Sequence, residues 1–124
     1  MLPSTPAARA VMEQWISTIN CYVYDSLVRN YALRYIRKTA PDLEGLAALS
    51  RDMARLDAAY ANGPYIAGDA LSLADLFVAP IVQTAAMFDE GRAALGKSPA
   101  LARAYEQLAA RPSFTEVHAG VFGR

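Results

Sequence analysis

Gly68-Asp69-Ala70-Leu71-Ser72-Leu73-Ala74-Asp75-Leu76-Phe77-Val78-Ala79-Pro80-Ile81-Val82 is the stretch on which the fold turns. It begins with turn chemistry and passes into residues that are almost all apolar. Ser72 and Asp75 stand three apart, so the Ser72 hydroxyl can accept from the Asp75 amide while the Asp75 carboxylate reaches back to the Ser72 amide. That is a capping box with Asp in the usual Glu or Gln position. Leu71 and Leu76 are spaced to form the accompanying hydrophobic staple. Only Gln83 and Thr84 interrupt the apolar run before Asp89. A helix apolar on every face must be buried on every face, so the pattern predicts a central buried helix over about 72–88.

The flanking segments carry helical periodicity as well. Thr5-Pro6 is a start signal, with Thr as N-cap and Pro where a missing amide costs nothing. From Ala7 no breaker occurs before Lys38. Along this length Val11, Trp15, Thr18 and Tyr22 form one stripe, and Met12, Ile16, Ile19, Val23 and Leu27 form a second. Two stripes predict cover over more than half the helix, by the core on one side and by a partner or cleft on the other. Asn30 is a candidate bend.

Pro41 closes that helix. Leu46, Leu49, Met53, Leu56 and Tyr60 then mark an amphipathic helix, with Arg51, Asp52 and Arg55 on other faces, and Asn62-Gly63-Pro64 ends it. The central helix is expected to stop near Asp89-Glu90-Gly91. Ser98-Pro99 repeats the cap-plus-Pro start, and Ser113 with Glu116 offers a final short capped helix. No stretch alternates with period two. The expected fold is all-α, a five-helix orthogonal bundle, with residues 1–6 as a linker-like segment and 7–124 as the helical domain.

Composition narrows the partners. Among 124 residues, twelve basic side chains balance twelve acidic ones, so no global field favours nucleic acid or an anionic membrane. The N-terminus lacks the pattern of a signal peptide, and the apolar run from Leu76 is too short to span a bilayer. A single cysteine, Cys21, excludes an internal disulfide and fits a reducing cytoplasm; with one histidine it cannot build a four-ligand zinc site. Cys21 is expected to be a buried structural thiol, since nothing nearby would lower its pKa. His118 has no recognisable catalytic partner.

Tyr65-Ile66-Ala67-Gly68-Asp69 followed by Leu71-Ser72-Leu73-Ala74-Asp75 resembles the C-terminal helical domain of glutathione S-transferases, and of bacterial members in particular. Pro3 to Trp15 resembles the interdomain linker and first helix of that domain, and Ala110-Arg111-Pro112-Ser113-Phe114 resembles the turn between its late helices. A complete member carries, ahead of this region, a thioredoxin-like domain that binds glutathione and activates its thiol. These residues contain no such pattern. The resemblance therefore implies that this chain alone binds no cofactor and catalyses no conjugation, with glutathione as co-substrate only if a thioredoxin-like domain is supplied.

The resemblance also assigns roles. Asp75 becomes a folding determinant, with Ser72 as its capping partner, and no residue here is catalytic. Tyr24, Val28, Tyr31 and Tyr35, at steps of four, three and four on the first helix, become candidates for the hydrophobic co-substrate site. Tyr24 is foremost among them, and helix packing or a dimer interface is the alternative. Gln83, Thr84 and Met87, late in the central helix, are candidates for the same pocket. Tyr22 is expected in core or interface packing, and Arg29, Arg34 and Arg37 as solvated charge. Two functions follow. One is the co-substrate-binding and dimerisation half of a cytoplasmic, detoxifying transferase, homodimeric through its first helix. The other is a stand-alone assembly module like those in translation factors and aminoacyl-tRNA synthetases, which Met1 directly before the linker-like residues would suit.

Overall fold

A computed structural model describes residues 4–67 and 70–111. Gly68 and Asp69, the capped segment at Ser113 and Glu116, and His118 lie outside the described residues. Within them the chain is all-helical, with five helices. The first, α1, runs over 6–36 without a break but changes register. It is α-helical over Pro6–Thr18, π-helical over Ile19–Val23 and Asp25–Ala32, and α-helical again over Leu33–Ile36. Thr5 caps it as its sequence predicts, accepting from the Ala8 amide at 3.1 Å. Lys38, in the left-handed region at φ 64°, turns the chain after it. Then come α2 (Leu43–Ala59), α3 (Leu73–Ala85), α4 (Asp89–Gly96) and α5 (Pro99–Ala109).

The core forms where α1 meets α2 and α3, with α5 packed against both of those helices. Met12, Ile19, Val23, Leu27, Tyr31 and Ala32 line the buried side of α1. They share one core with Leu49, Met53 and Leu56 of α2, Val78, Val82 and Ala85 of α3, and Leu101 and Ala104 of α5. Each fully enclosed Leu or Val side chain contributes about 1.5–3 kcal/mol relative to exposure. The second stripe of α1 is therefore the core stripe. The first is not: Val11 is exposed, Trp15 is half-buried, and Tyr22 is 61% exposed, with the Arg55 guanidinium 6.0 Å from its ring centroid. Tyr22 is not a core residue. Cys21, on the same exposed side, is not a buried thiol.

The central helix departs from its expected bounds. It ends at Ala85, and α4 begins at Asp89, where the sequence suggested only a terminator. Gly91 explains the switch. A Cβ there would lie 1.9 Å from the Ala85 carbonyl oxygen, so only glycine allows α4 to start against the end of α3. Asp89 and Glu90 then sit in the first turn of α4, where the helix dipole favours negative charge. Nor is α3 enclosed on all sides: Phe77 is exposed and Leu76, Pro80 and Ile81 are half-buried.

Two caps come from unexpected places. Ser98 does precede α5, but its hydroxyl donates to the Ala94 carbonyl at 2.9 Å. The α5 amides of Ala100 and Leu101 are satisfied instead by the Asp57 carboxylate of α2, at 2.9 and 3.0 Å. In return Arg103 of α5 donates to the Tyr60 carbonyl at 2.9 Å, just past the end of α2. Asp52, expected on a polar face, is fully buried beneath Arg51 and Arg55.

Candidate functional site

The buried polar centre of the bundle is Asp75, and its surroundings exhaust its carboxylate. Both halves of the capping box with Ser72 are formed, and the Ser72 amide donates to Oδ2 at 3.0 Å. The Ser72 hydroxyl lies 3.3 Å from the same oxygen. The other oxygen, Oδ1, accepts from the Tyr60 hydroxyl at 2.7 Å and from the Ile66 amide at 2.9 Å. One carboxylate thus joins the end of α2, the following loop and the start of α3. Burial first, and then the neighbouring Asp75 charge, push the Tyr60 phenol far above the ordinary tyrosine range and keep it a donor. With all its partners structural and no solvent access, Asp75 has no lone pair left for substrate chemistry.

A second polar cluster lies where α1 meets α4. Tyr31 is fully buried; its hydroxyl accepts the Gly91 amide at 2.7 Å and donates towards Glu90 Oε1 at 3.1 Å. Tyr35 reaches both Glu90 oxygens, at 2.8 and 2.9 Å. The rings of Tyr31, Tyr35 and Phe88 complete the cluster. Tyr35 stacks on Phe88 at 4.8 Å between centroids, and Tyr31 meets Tyr35 edge-on at 5.6 Å. Burial raises the Tyr31 phenol to about 12, and the Glu90 hydrogen bond raises Tyr35. The Tyr35 hydroxyl in turn holds the Glu90 carboxyl below its usual range.

The candidate pocket residues divide by these contacts. Tyr31 and Tyr35 come together with Phe88 and Glu90 and anchor α4. Val28, between them and Tyr24, is buried. Tyr24 sits at the edge of the same face, 37% exposed, and Met87 is more than half exposed. Gln83 and Thr84 are half-buried on α3, and the Thr84 hydroxyl donates to the Pro80 carbonyl at 2.9 Å. Tyr24 and Met87 are therefore the two candidates with free surface. Glu90 and Gly91 escaped the sequence reading because Asp-Glu-Gly looks like a helix end; a glycine one turn past a Phe-Asp pair was the available signal. Among the described residues no group of three metal-ligating side chains converges. No described helix is long and apolar enough to cross a membrane.

The fold is shared with known proteins. Structurally the chain is similar to glutathione transferase F7 from Populus trichocarpa, with a TM-score of 0.78 and 20% identity. That likeness covers 94% of this chain and 58% of the Populus chain. It is similar also to glutathione S-transferase III in its apo form, with a TM-score of 0.79 and 25% identity, over 97% of this chain and 58% of that one. The chain thus spans less than two thirds of the length of these transferases. No curated protein sequence matches it. The sequence profile of the glutathione S-transferase C-terminal domain matches residues 17–112, and the chain belongs to that family.

Proposed function

We propose that this chain is the helical half of a cytoplasmic glutathione transferase. In this role it offers an apolar surface to an electrophilic co-substrate and a face for homodimerisation. The glutathione site and the thiol-activating residue belong to a thioredoxin-like domain. The observation that carries this reading is the family match over 17–112, together with 58% coverage of two transferases by a fold that accounts for nearly all of this chain. The co-substrate surface is assigned to Tyr24 and Met87, with Val28, Tyr31 and Tyr35 of α1 and Gln83 and Thr84 of α3 as the further candidates. Its chemical contribution is proximity: holding the electrophile where a glutathione thiolate attacks it. Dimerisation is assigned to the exposed stripe of α1 around Val11 and Tyr22.

The test is a conjugation assay with glutathione and 1-chloro-2,4-dinitrobenzene. The purified chain should show no turnover above background, and fusion behind the thioredoxin-like domain of a related transferase should restore it. Tyr24→Ala in the fusion should then raise KM for the electrophile more than for glutathione. Turnover by the chain alone, or a fusion in which Tyr24→Ala changes neither constant, overturns the proposal. The exposed Val11 and Tyr22 stripe also favours a second reading, a protein-assembly module without catalysis. That reading predicts an inactive fusion and a chain that remains monomeric in sedimentation until its partner is added.

A further inference from the structure

We propose that the cleft between the end of α1 and the first turns of α2 binds a small zwitterion, a free amino acid or a short peptide with both termini unblocked. The cleft holds about 510 Å3, within the usual size of ligand pockets. It is lined by Asn30 and Arg34 of α1 and by Asp42, Glu44, Gly45 and Arg51 at and beyond the start of α2. Ala47 and Ala48 add no bulk to its wall.

Arg34 and Glu44 line the same space with opposite signs, yet neither side chain forms an ion pair with the other or with any described residue. Among the described residues no side-chain hydrogen bond engages Asn30, which lines the same space. Arg51 is held from behind: its guanidinium lies 3.3 Å from Oδ2 of Asp52, which is fully buried. The other oxygen of Asp52 makes no hydrogen bond, with Arg55 Nε at 3.6 Å, so this carboxylate serves the arginines above it and no backbone group. Asp52 is thus a positioning residue for Arg51.

Gly45 brings the two helices close enough to form the wall. A Cβ on it would lie 3.2 Å from the Asn30 carbonyl oxygen and from Asp42 Oδ1. Asp42 is also the cap of α2, accepting the Gly45 amide at 2.7 Å. Asn30 belongs to the π-helical stretch of α1, a register found often at functional sites. A simple anion in this cleft meets Asp42 and Glu44, and a simple cation meets Arg34 and Arg51. A ligand carrying a carboxylate for the arginines and an ammonium for Glu44 satisfies both sets, the carboxylate end gaining the planar geometry of guanidinium.

The inference is independent of transferase activity and is tested by binding alone. The isotopically labelled intact chain is titrated with L-alanyl-L-alanine while the amide resonances of Gly45, Ala47 and Ala48 are followed by NMR. Saturable shifts are expected, with a dissociation constant of roughly a millimolar, in the range of a few exposed polar contacts. Acetylating the amine or amidating the carboxylate should each weaken binding by roughly tenfold or more, the loss of one charged hydrogen-bonding partner. Arg34→Ala and Glu44→Gln, both at exposed positions, should do the same. Arg29→Ala, which removes a partner of Asp25 elsewhere on α1, should leave binding unchanged. Shifts that fail to saturate, blocked dipeptides that bind equally well, or an Arg29→Ala effect as large as that of Arg34→Ala overturn the proposal.

Discussion

Replacing Asp75 with alanine removes the acceptor for three segments at once. The Ser72 amide loses its capping partner, a change that costs about 0.5–2 kcal/mol at ordinary helix starts. The Tyr60 hydroxyl and Ile66 amide lose theirs too, inside a site with no solvent access. A buried donor left unsatisfied costs roughly 1–3 kcal/mol. Against this stands the desolvation of the carboxylate, which the alanine variant no longer bears, and water entering the space left by the side chain. The net expectation is about 3–5 kcal/mol, the range for removing one partner from a buried charged network. A chain of 124 residues has a total stability of about 6–19 kcal/mol at roughly 0.05–0.15 kcal/mol per residue. The loss is therefore a large share of the whole.

Urea unfolding followed by circular dichroism measures it, with the midpoint falling while the slope is retained. At about 4 °C per kcal/mol for a domain of this size, the melting temperature should drop by about 12–20 °C. Asp75→Asn separates charge from shape: its amide nitrogen would face the Ser72 amide, donor against donor, so it should recover less than half the loss. Tyr60→Phe should cost about 1–2 kcal/mol. Combined with Asp75→Ala, it should show a coupling of at least about 0.5 kcal/mol. A loss under about 1 kcal/mol for Asp75→Ala, with no coupling to Tyr60, would mean an ordinary surface cap and would refute the network.

Four further outcomes follow from the contacts described. Asp57→Ala, which uncaps α5 from outside, should cost about 1–2 kcal/mol in urea, and Ser98→Ala clearly less; the reverse order would restore Ser98 as the cap. Gly91→Ala must push α4 away from the Ala85 carbonyl and should cost more than about 2 kcal/mol, so a variant as stable as the parent would disprove the close approach. Because Tyr35 and Tyr31 hold Glu90 below its usual range, stability should be present above the ordinary glutamate pKa and fall as pH drops through the lowered one; Glu90→Gln should flatten that acid limb. The phenols behave oppositely: Tyr31 and Tyr60, raised in the fold, contribute stability below pH 10 that is lost as pH rises further, and ultraviolet titration of Tyr31→Phe and Tyr60→Phe against the parent should show the missing phenol absorbing late in the alkaline range.

Much of this was legible because it is local. The Ser72 and Asp75 box, the Thr5-Pro6 start and the Met12 to Leu27 stripe each need only residues within a turn or two, and the structure contains all three. What escaped was set by contacts between distant segments. Nothing near Ser98 announces that Asp57 will cap its helix, and the arginines beside Asp52 are in plain view while the packing that buries its carboxylate beneath them is not. The π-helical register of α1 is equally silent, since no proline, glycine or insertion marks it. Periodicity alone also could not say which α1 stripe faces inward, because the rings of Trp15 and Tyr22 carry as much apolar surface to bury as the side chains of Ile16 and Val23. Tyrosine was ambiguous for a chemical reason: one phenol type supplies a core anchor at Tyr31, a buried donor at Tyr60 and an exposed ring at Tyr22.

The same contacts divide stability from function across the molecule. Asp57 of α2 satisfies the start of α5, and Asp75 caps its own helix α3 while accepting from the end of α2 and the loop after it, so α2, α3 and α5 are tied by carboxylates facing structural donors. Tyr31 and Glu90 fasten α4 in the same manner. Polar groups spent in this way are removed from chemistry. Among the described residues, those left unspent include Tyr24 and Met87 on the surface and the side chains of Arg34 and Glu44 in the cleft beside α2. A substitution among the spent groups should therefore lower the melting temperature, and one among the unspent groups should alter binding or association at an almost unchanged melting temperature. Arg34→Ala and Tyr24→Ala, compared with Asp57→Ala in one set of melts, test that division directly. A Tyr24→Ala variant that melts as low as Asp57→Ala would place its ring in the framework and withdraw it from the co-substrate surface.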